Sequence, residues 1–518
     1  MNYPFWDVPI AYGVLMAVIA VFHVFVSHFA IGGGLYLVVS EQLARKAGDT
    51  RRLEFLEKLS KFFVLVTLVA GALTGVGIWF IIGLIAPTAT EALIHNYVWG
   101  WATEWTFFVV EIAAAMIYFY GWKTMTPRAH MTVGWIYFVF AWLSLFIING
   151  IITFMLTPGQ WLATGNFWDG FFNPTFWPSL VLRTGVCMML AGLYALLVAS
   201  RCEAGEFKAR TVRWSAGWGV AGLAVTALCQ YWYWKAIPAA VTAKALQTMP
   251  TPICSVEVSI WLAAVIGALL VMFGLLAPRK LGFGVAAALM ALGLAWFGAF
   301  EWFRESIRKP YILAGYIYGN GTEVAKADVY KKEGYLVQMA FKTGDDGADL
   351  FRHACRSCHT LDGYKALKPA FDGTDRAFIA AIVRATHLLR GNMPPFLGTT
   401  AEADKIADHL GHHTDRRPLA EIYKLEGVEL GRKAYAIRCG KCHVIGAASD
   451  KSKSFAGQSA DDLNSLLNSA ADMGEGMPAY TGDAAERKAL VAYLQTLGKR
   501  AKKPLLIAEP GVSKGGKK

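Results

Sequence analysis

Residues 281–310 read LGFGVAAALMALGLAWFGAFEWFRESIRKP, and the character of the chain changes within them. From Leu281 to Phe300 no side chain is charged, which is long enough to cross a bilayer as a helix of about 20 residues. Glu301, Glu305 and Arg308 follow, spaced to share one helix face. Before residue 301 the chain carries 29 charged residues; the last 218 positions carry 59. All 18 Trp lie within residues 1–302. The whole-chain averages over 518 residues, 55% hydrophobic and 17% charged, therefore blend an apolar front with a polar back. Typical soluble domains run at about 45–50% and about 25%. This composition argues against a wholly cytosolic enzyme, a disordered chain and a disulfide-rich fold.

Runs of this apolar kind recur eight times, at about 8–40, 60–86, 101–122, 132–157, 177–200, 215–235, 257–277 and 281–304. No small-residue cleavage site follows the first, so it reads as a retained helix. Lys and Arg alternate by loop: the odd loops hold 14, from Arg45 to Lys280, and the even loops only Lys235 and Lys244. The positive-inside rule puts the odd loops in the cytoplasm and both termini on the far side. The net charge of +12 thus serves topology and carries no sign of nucleic-acid binding. The expected fold is all-α: an eight-helix transmembrane bundle over 1–305, then two small helical domains. Its expected surroundings are the lipid bilayer of a bacterial inner membrane, with the C-terminal half periplasmic.

That C-terminal half holds Cys355-Arg-Ser-Cys358-His359 and Cys439-Gly-Lys-Cys442-His443. C-x-x-C-H lets two thiols form thioethers to one haem while the adjacent His ligates its iron. A single C-x-x-C could be a redox pair or half a zinc site; two complete copies argue against both. Downstream of each stands a candidate second ligand, Met393 in Asn-Met-Pro-Pro-Phe and Met477 in Gly-Met-Pro-Ala-Tyr, with Met473 a rival of Met477. Core packing is the alternative role for either Met. The copies share their flanks, Gly347–Ala354 and Gly431–Arg438, and each closes with a helical run, at Ala403–Leu410 and Glu486–Leu497. They resemble tandem class I cytochrome c domains, expected over 341–415 and 425–500. Residues 306–340 read as a linker and 501–518 as a disordered tail. Haem is attached to such motifs outside the cytoplasm, in agreement with the charge pattern. His409, His412 and His413 read as a solvated helix end.

In the apolar half only His23 and His28 fall inside predicted spans. A haem–copper oxygen reductase or a cytochrome bc-type b subunit needs more intramembrane histidines, so membrane haems here require mixed ligands. Intramembrane carboxylates are costly and usually functional. Glu104 and Glu111 are seven apart on one helix face with no basic partner nearby in sequence, which suits proton delivery or haem support. Salt bridging or snorkelling would equally account for Glu301 and Glu257.

Phe22-His23-Val-Phe-Val-Ser-His28-Phe-Ala-Ile-Gly32 resembles the first helix of cytochrome bd oxidase subunit I. Gly71-Ala-Leu-Thr-Gly75, Glu111 ten residues before Gly121-Trp122, Asn149-Gly150 and Glu305-Ser-Ile-Arg308-Lys-Pro310-Tyr resemble further motifs of that family, in order, and Glu104 nearly matches another, one residue closer than the family's spacing. The resemblance covers about residues 5–310. It implies that His23 and Glu305 ligate high-spin haem iron. It also has departures. Arg183 replaces the His expected to hold a low-spin b haem, and the outside loop at about 236–256 is short where the family has an extended quinol-binding loop. The quinol-side haem and the quinol site are therefore expected to be lost. Arg183 and Arg308 become candidates for haem propionates, a snorkelling Arg183 being the alternative.

The expected cofactors are two covalent haems c and one or more, most simply two, non-covalent haems of b or d type. The expected function is a cytochrome c-linked oxygen reductase subunit. A periplasmic donor such as a cytochrome c and a second membrane subunit, or small accessory subunits, are its expected partners. The same fold reducing nitric oxide or peroxide, or acting as a non-catalytic electron conduit, is the alternative.

Overall fold

Long uncharged runs leave a chain in lipid one economical solution, the α-helix, in which every backbone N–H and C=O is satisfied within the segment. The computed structural model describes residues 8, 10–248, 250–389, 391–446, 449–474 and 476–497. The expected tail, 501–518, lies outside the described residues. Eight long helices follow one another: α1 (Tyr12–Ala47), α2 (Thr50–Ile85), α3 (Val98–Gly121), α4 (Pro127–Phe154), α5 (Phe176–Ala199), α6 (Glu206–Ala236), α7 (Thr251–Leu276) and α8 (Phe283–Arg308). All but α6 are long and apolar enough to cross a membrane. The sixth expected run lies within α6, whose 31 residues include Trp214, Trp218, Tyr231 and several Gly, residues that lower its mean hydropathy.

Large apolar side chains face outward along these helices, among them Leu73 and Phe80 on α2, Trp99 and Trp105 on α3, Leu228 on α6 and Trp261 on α7. Water would penalise that surface; lipid or a second apolar protein would not. Inside, helices approach closely where one side has no Cβ. A Cβ at Gly32 of α1 would stand 1.9 Å from the Cys187 carbonyl oxygen of α5, and one at Gly222 of α6 would stand 2.2 Å from the Met189 amide nitrogen of α5. Helix α2 holds a π-helical stretch at Leu65–Gly71, just before Thr74, a kind of irregularity often found near functional sites.

The chain divides into two compact units, Met1–Leu367 with Gly391–His409, and Lys368–Arg390 with Leu410–Lys518. The first contains the eight long helices and the first C-x-x-C-H motif; the second contains the other motif. The polar stretch 306–340 is folded rather than bare chain. Strands β1 (Tyr311–Leu313) and β2 (Ile317–Tyr318) pair antiparallel, with Leu313 opposite Ile317. Both of these side chains join the apolar core of the long-helix unit, and Tyr335 is fully buried. Three further helices belong to the first motif's sequence segment: α9 (Asp346–Ala354), α10 (Arg376–Arg384) and α11 (Thr400–His413). Around the second motif stand α12 (Gly427–Ala434), α13 (Ala460–Asn468) and α14 (Ala484–Leu497), packed on a core of Leu430, Leu463, Leu490 and Leu494.

Candidate haem sites

Each C-x-x-C-H motif begins where a helix ends, α9 at Ala354 and a π turn at Cys439. Burial pushes the Cys355 and Cys439 thiols up to about 12. Thiols held protonated in apolar surroundings are matched to a neutral thioether, which carries no charge to bury. Among the described residues no group of three or more His, Cys, Asp or Glu is gathered as a bare metal site. His359 Nδ1 lies 2.9 Å from the Lys365 carbonyl oxygen, to which it can only donate. Its Nε2 is thereby left as the free lone pair that an iron ligand needs. Burial also lowers the His359 pKa, which favours the neutral ring. The Nδ1 of His443 is buried and without a hydrogen-bond partner among the described residues.

The Met loops are braced by a repeat that the sequence left hidden. Helices α11 and α14 each carry a buried Glu as their third residue, Glu402 and Glu486. Glu402 accepts the backbone amides of Tyr335 (3.0 Å), Leu336 (2.8 Å) and Thr399 (2.9 Å). The Tyr335 hydroxyl oxygen in turn accepts the Leu397 amide of the Met393 loop at 2.9 Å, and its ring meets Phe396. Glu486 accepts Arg438 Nε at 2.5 Å and the Tyr480 hydroxyl at 2.9 Å. Arg438 precedes Cys439 and Tyr480 follows Met477 by three, so one carboxylate ties attachment motif to Met loop. Met477 is part-buried, whereas its rival Met473 is 55% exposed.

In the long-helix bundle, His23 Nδ1 is 3.0 Å from Thr74 Oγ1. The Thr74 hydroxyl also lies 2.6 Å from the Ala70 carbonyl oxygen, where its single proton must go. The Thr74 oxygen can then only accept, His23 Nδ1 donates, and Nε2 is bare. Gly75 clears the space beside the ring, since a Cβ there would stand 3.1 Å from His23 Cε1. His28 differs. Its Nδ1 donates to the Val24 carbonyl at 2.7 Å, and its Nε2 faces Arg183 Nη1 at 3.5 Å.

Arg183 is 2% exposed, so it does not snorkel. It pairs with Glu301 at 3.1 Å, and Glu301 also holds Arg304 at 2.7 Å. Glu305 is paired with Arg308 and, at 2.7 Å, with Lys309. Nearby polar groups are left over: Tyr233 Oη, Trp296 Nε1 and Arg308 Nε are buried without partners among the described residues. Buried donors of this kind fit a group that brings acceptors of its own, as haem propionates would. Helices α1 and α8, which carry His23 and Glu305, pack together; a Cβ at Gly298 would meet Val21 at 3.8 Å.

Glu104 and Glu111 do share a face, and that face meets α4. Ser144 donates to Glu104 at 2.8 Å and Tyr137 to Glu111 at 3.1 Å, two partners that are themselves seven apart. A third carboxylate, Glu41, accepts Tyr118 at 2.7 Å and His130 at 2.8 Å. Sequence reading missed this cluster. Glu41 looks like the first charge of a loop and His130 like a loop histidine, yet α1 continues to Ala47 and both residues are fully buried.

Comparison with known proteins gives three findings. The family model described as cytochrome bd terminal oxidase subunit I matches residues 14–281. The model described as cytochrome c oxidase, cbb3-type, subunit III matches twice, over 342–410 and 426–494. Among solved structures, the bd oxidase from Geobacillus thermodenitrificans is similar in fold at a TM-score of 0.51 and 14% identity, over 59% of this chain and 88% of that one. No curated protein matches.

Proposed function

Since the chain belongs to the cytochrome bd terminal oxidase subunit I family and continues into two cytochrome c domains, we propose that it is a cytochrome c-linked oxygen reductase subunit. At the coarser level it is a membrane-embedded oxidoreductase and a respiratory electron-transfer haem protein. The observation that carries the finer reading is Arg183. At the position where the resemblance expects a haem-ligating His, this chain has a buried guanidinium engaged by Glu301. With the quinol-side haem position taken by an ion pair, and with two cytochrome domains fused behind α8, electrons enter from a one-electron protein donor.

The haems supply one-electron redox chemistry and, at a high-spin iron, a place for oxygen to bind. The residues do the rest. His359 and Met393 would hold one c haem, with Cys355 and Cys358 forming its thioethers; His443 and Met477 would hold the other, with Cys439 and Cys442. His23, its tautomer set by Thr74, and Glu305 would be the ligands of the non-covalent haem or haems, of b or d type. Arg308 and Arg183 would be the partners of its propionates. Reducing oxygen to water consumes protons as well as electrons, and Glu104 and Glu111 deliver them from within the bundle. A periplasmic cytochrome c or similar protein is the donor, with both termini on the periplasmic side. A second membrane subunit covers part of the apolar surface.

Oxygen uptake by the purified protein tests this directly. Uptake is expected with reduced cytochrome c and not with a quinol. Uptake sustained by quinol alone would refute the reading.

A further inference from the structure

Helix α1 begins without a side-chain cap: Ala11 stands at its N-cap position. The first N–H groups of a helix need outside acceptors, and here one comes from the first attachment loop. Gly13 N–H donates to the Ser357 carbonyl at 3.3 Å. Beside it, Arg356 donates to the Ile10 carbonyl at 2.9 Å and lies 4.9 Å over the Tyr12 ring. Arg356 is 5% exposed, an unusual burial for a charged residue between two cysteines that would carry haem. Across the same loop, Cys358 and Lys309 lie within electrostatic range of each other, and Lys309 holds Glu305 at 2.7 Å. The loop Cys355–His359 thus meets the start of α1, the helix that carries His23. From Tyr12 to His23 is a rise of about 16 Å along α1.

The second motif is built differently. Gly440 stands where the first has Arg356, so the same anchor cannot form. Lys441 reaches instead for the Ala370 carbonyl at 2.6 Å, inside its own unit.

We propose that Arg356 is a positioning residue that seats the first C-x-x-C-H loop on the start of α1, so that the first cytochrome c domain, and not the second, exchanges electrons with the membrane site. This rests on the function proposed above and gives it an order: the second domain takes electrons from the donor, the first passes them on. Each exchange moves one electron and makes or breaks no bond; what one carrier loses the next gains. Because transfer rates fall steeply with distance, an anchor at the loop itself has more leverage than one elsewhere on the domain.

The test uses the full-length, haem-loaded protein, without oxygen or external donor. In the partly reduced carbon monoxide complex, a light flash releases the gas and drives electrons back from the membrane haem into the c haems. Back-flow is expected to persist within twofold in Cys439→Ala/Cys442→Ala and to vanish in Cys355→Ala/Cys358→Ala. Arg356→Gln, which keeps both c haems, is expected to slow it at least tenfold with unchanged c-haem midpoint potentials. Residues 10–15 should then exchange their amide hydrogens faster, and Arg356→Lys should recover part of the rate. Back-flow that survives loss of the first c haem, or an Arg356→Gln rate within twofold of the parent, overturns the proposal. Failure of oxygen uptake with reduced cytochrome c would instead refute the function and leave these rates as they are.

Discussion

Thr74 shows how a neutral residue can decide the chemistry of a charged or ligating one. By giving its own proton to Ala70, it obliges His23 to donate from Nδ1 and keep Nε2 free. His28, five residues on, has its Nε2 turned to Arg183. The sequence offers two histidines of equal standing; only their partners separate them. The same holds for the acids. The seven-residue spacing of Glu104 and Glu111 predicts a shared face, but Ser144 and Tyr137 are invisible in an apolar pattern because neither breaks it. Glu111→Gln is expected to slow oxygen reduction on the order of a hundredfold while c-haem reduction by the donor stays unchanged. Turnover within twofold of the parent would show that Glu111 carries no protons. His353 belongs to this scale as well. Its Nε2 is buried without a partner among the described residues, and burial lowers its pKa to about 4. A folded-state pKa below the ordinary value near 6.5 means the unfolded chain binds the extra proton first. The first cytochrome domain should keep its full stability above about pH 6.5 and lose about 2–3 kcal/mol as pH falls through about 4. Thermal unfolding followed at the c-haem band across that range checks this, and His353→Gln should flatten the slope.

Helices gain their positions from contacts that single-helix periodicity does not contain. The eight apolar runs predict eight long helices, yet their boundaries shift where a charge is buried: α1 runs past Glu41 because Tyr118, His130 and Arg45 compensate that carboxylate. Gly32 lets α1 and α5 touch at the backbone. Gly32→Val would drive a side chain into the Cys187 carbonyl, an overpacking cost of about 1–3 kcal/mol or more. Because His23 and Arg183 sit on these two helices, the expected result is a fall in non-covalent haem per covalent haem c, read from pyridine haemochrome spectra. An unchanged ratio would mean the crossing is not needed for haem binding. In the cytochrome domains, the duplicated Glu at the third position of α11 and α14 follows the same lesson. Glu402 and Glu486 are seen in the sequence as helix-start acids; that each is buried and braces a Met loop follows only from the partners brought to it.

For the whole molecule, the cofactor count is the most direct check. Two covalent haems c per chain are expected beside the non-covalent haem or haems. Cys439→Ala/Cys442→Ala should remove one covalent haem and leave the non-covalent content unchanged. Loss of both kinds together would mean that the domains do not mature independently. Composition and charge alone determine that the front of the chain is a helical membrane domain, because twenty uncharged residues in lipid must satisfy their own backbone. Contiguity alone determines the c-haem motifs, because two thioethers and an axial His must reach one ring from five adjacent residues. The remaining sites depend on residues far apart in the chain. Arg183 meets Glu301 across 118 positions, and Arg356 meets Ile10 across 346. No local pattern encodes such pairings, since they arise when helices that satisfy their own backbones still have to bury the few charges they carry. Tertiary structure therefore decided which histidine keeps a free Nε2, which carboxylate pairs with Arg183, and which attachment loop is held against the membrane domain.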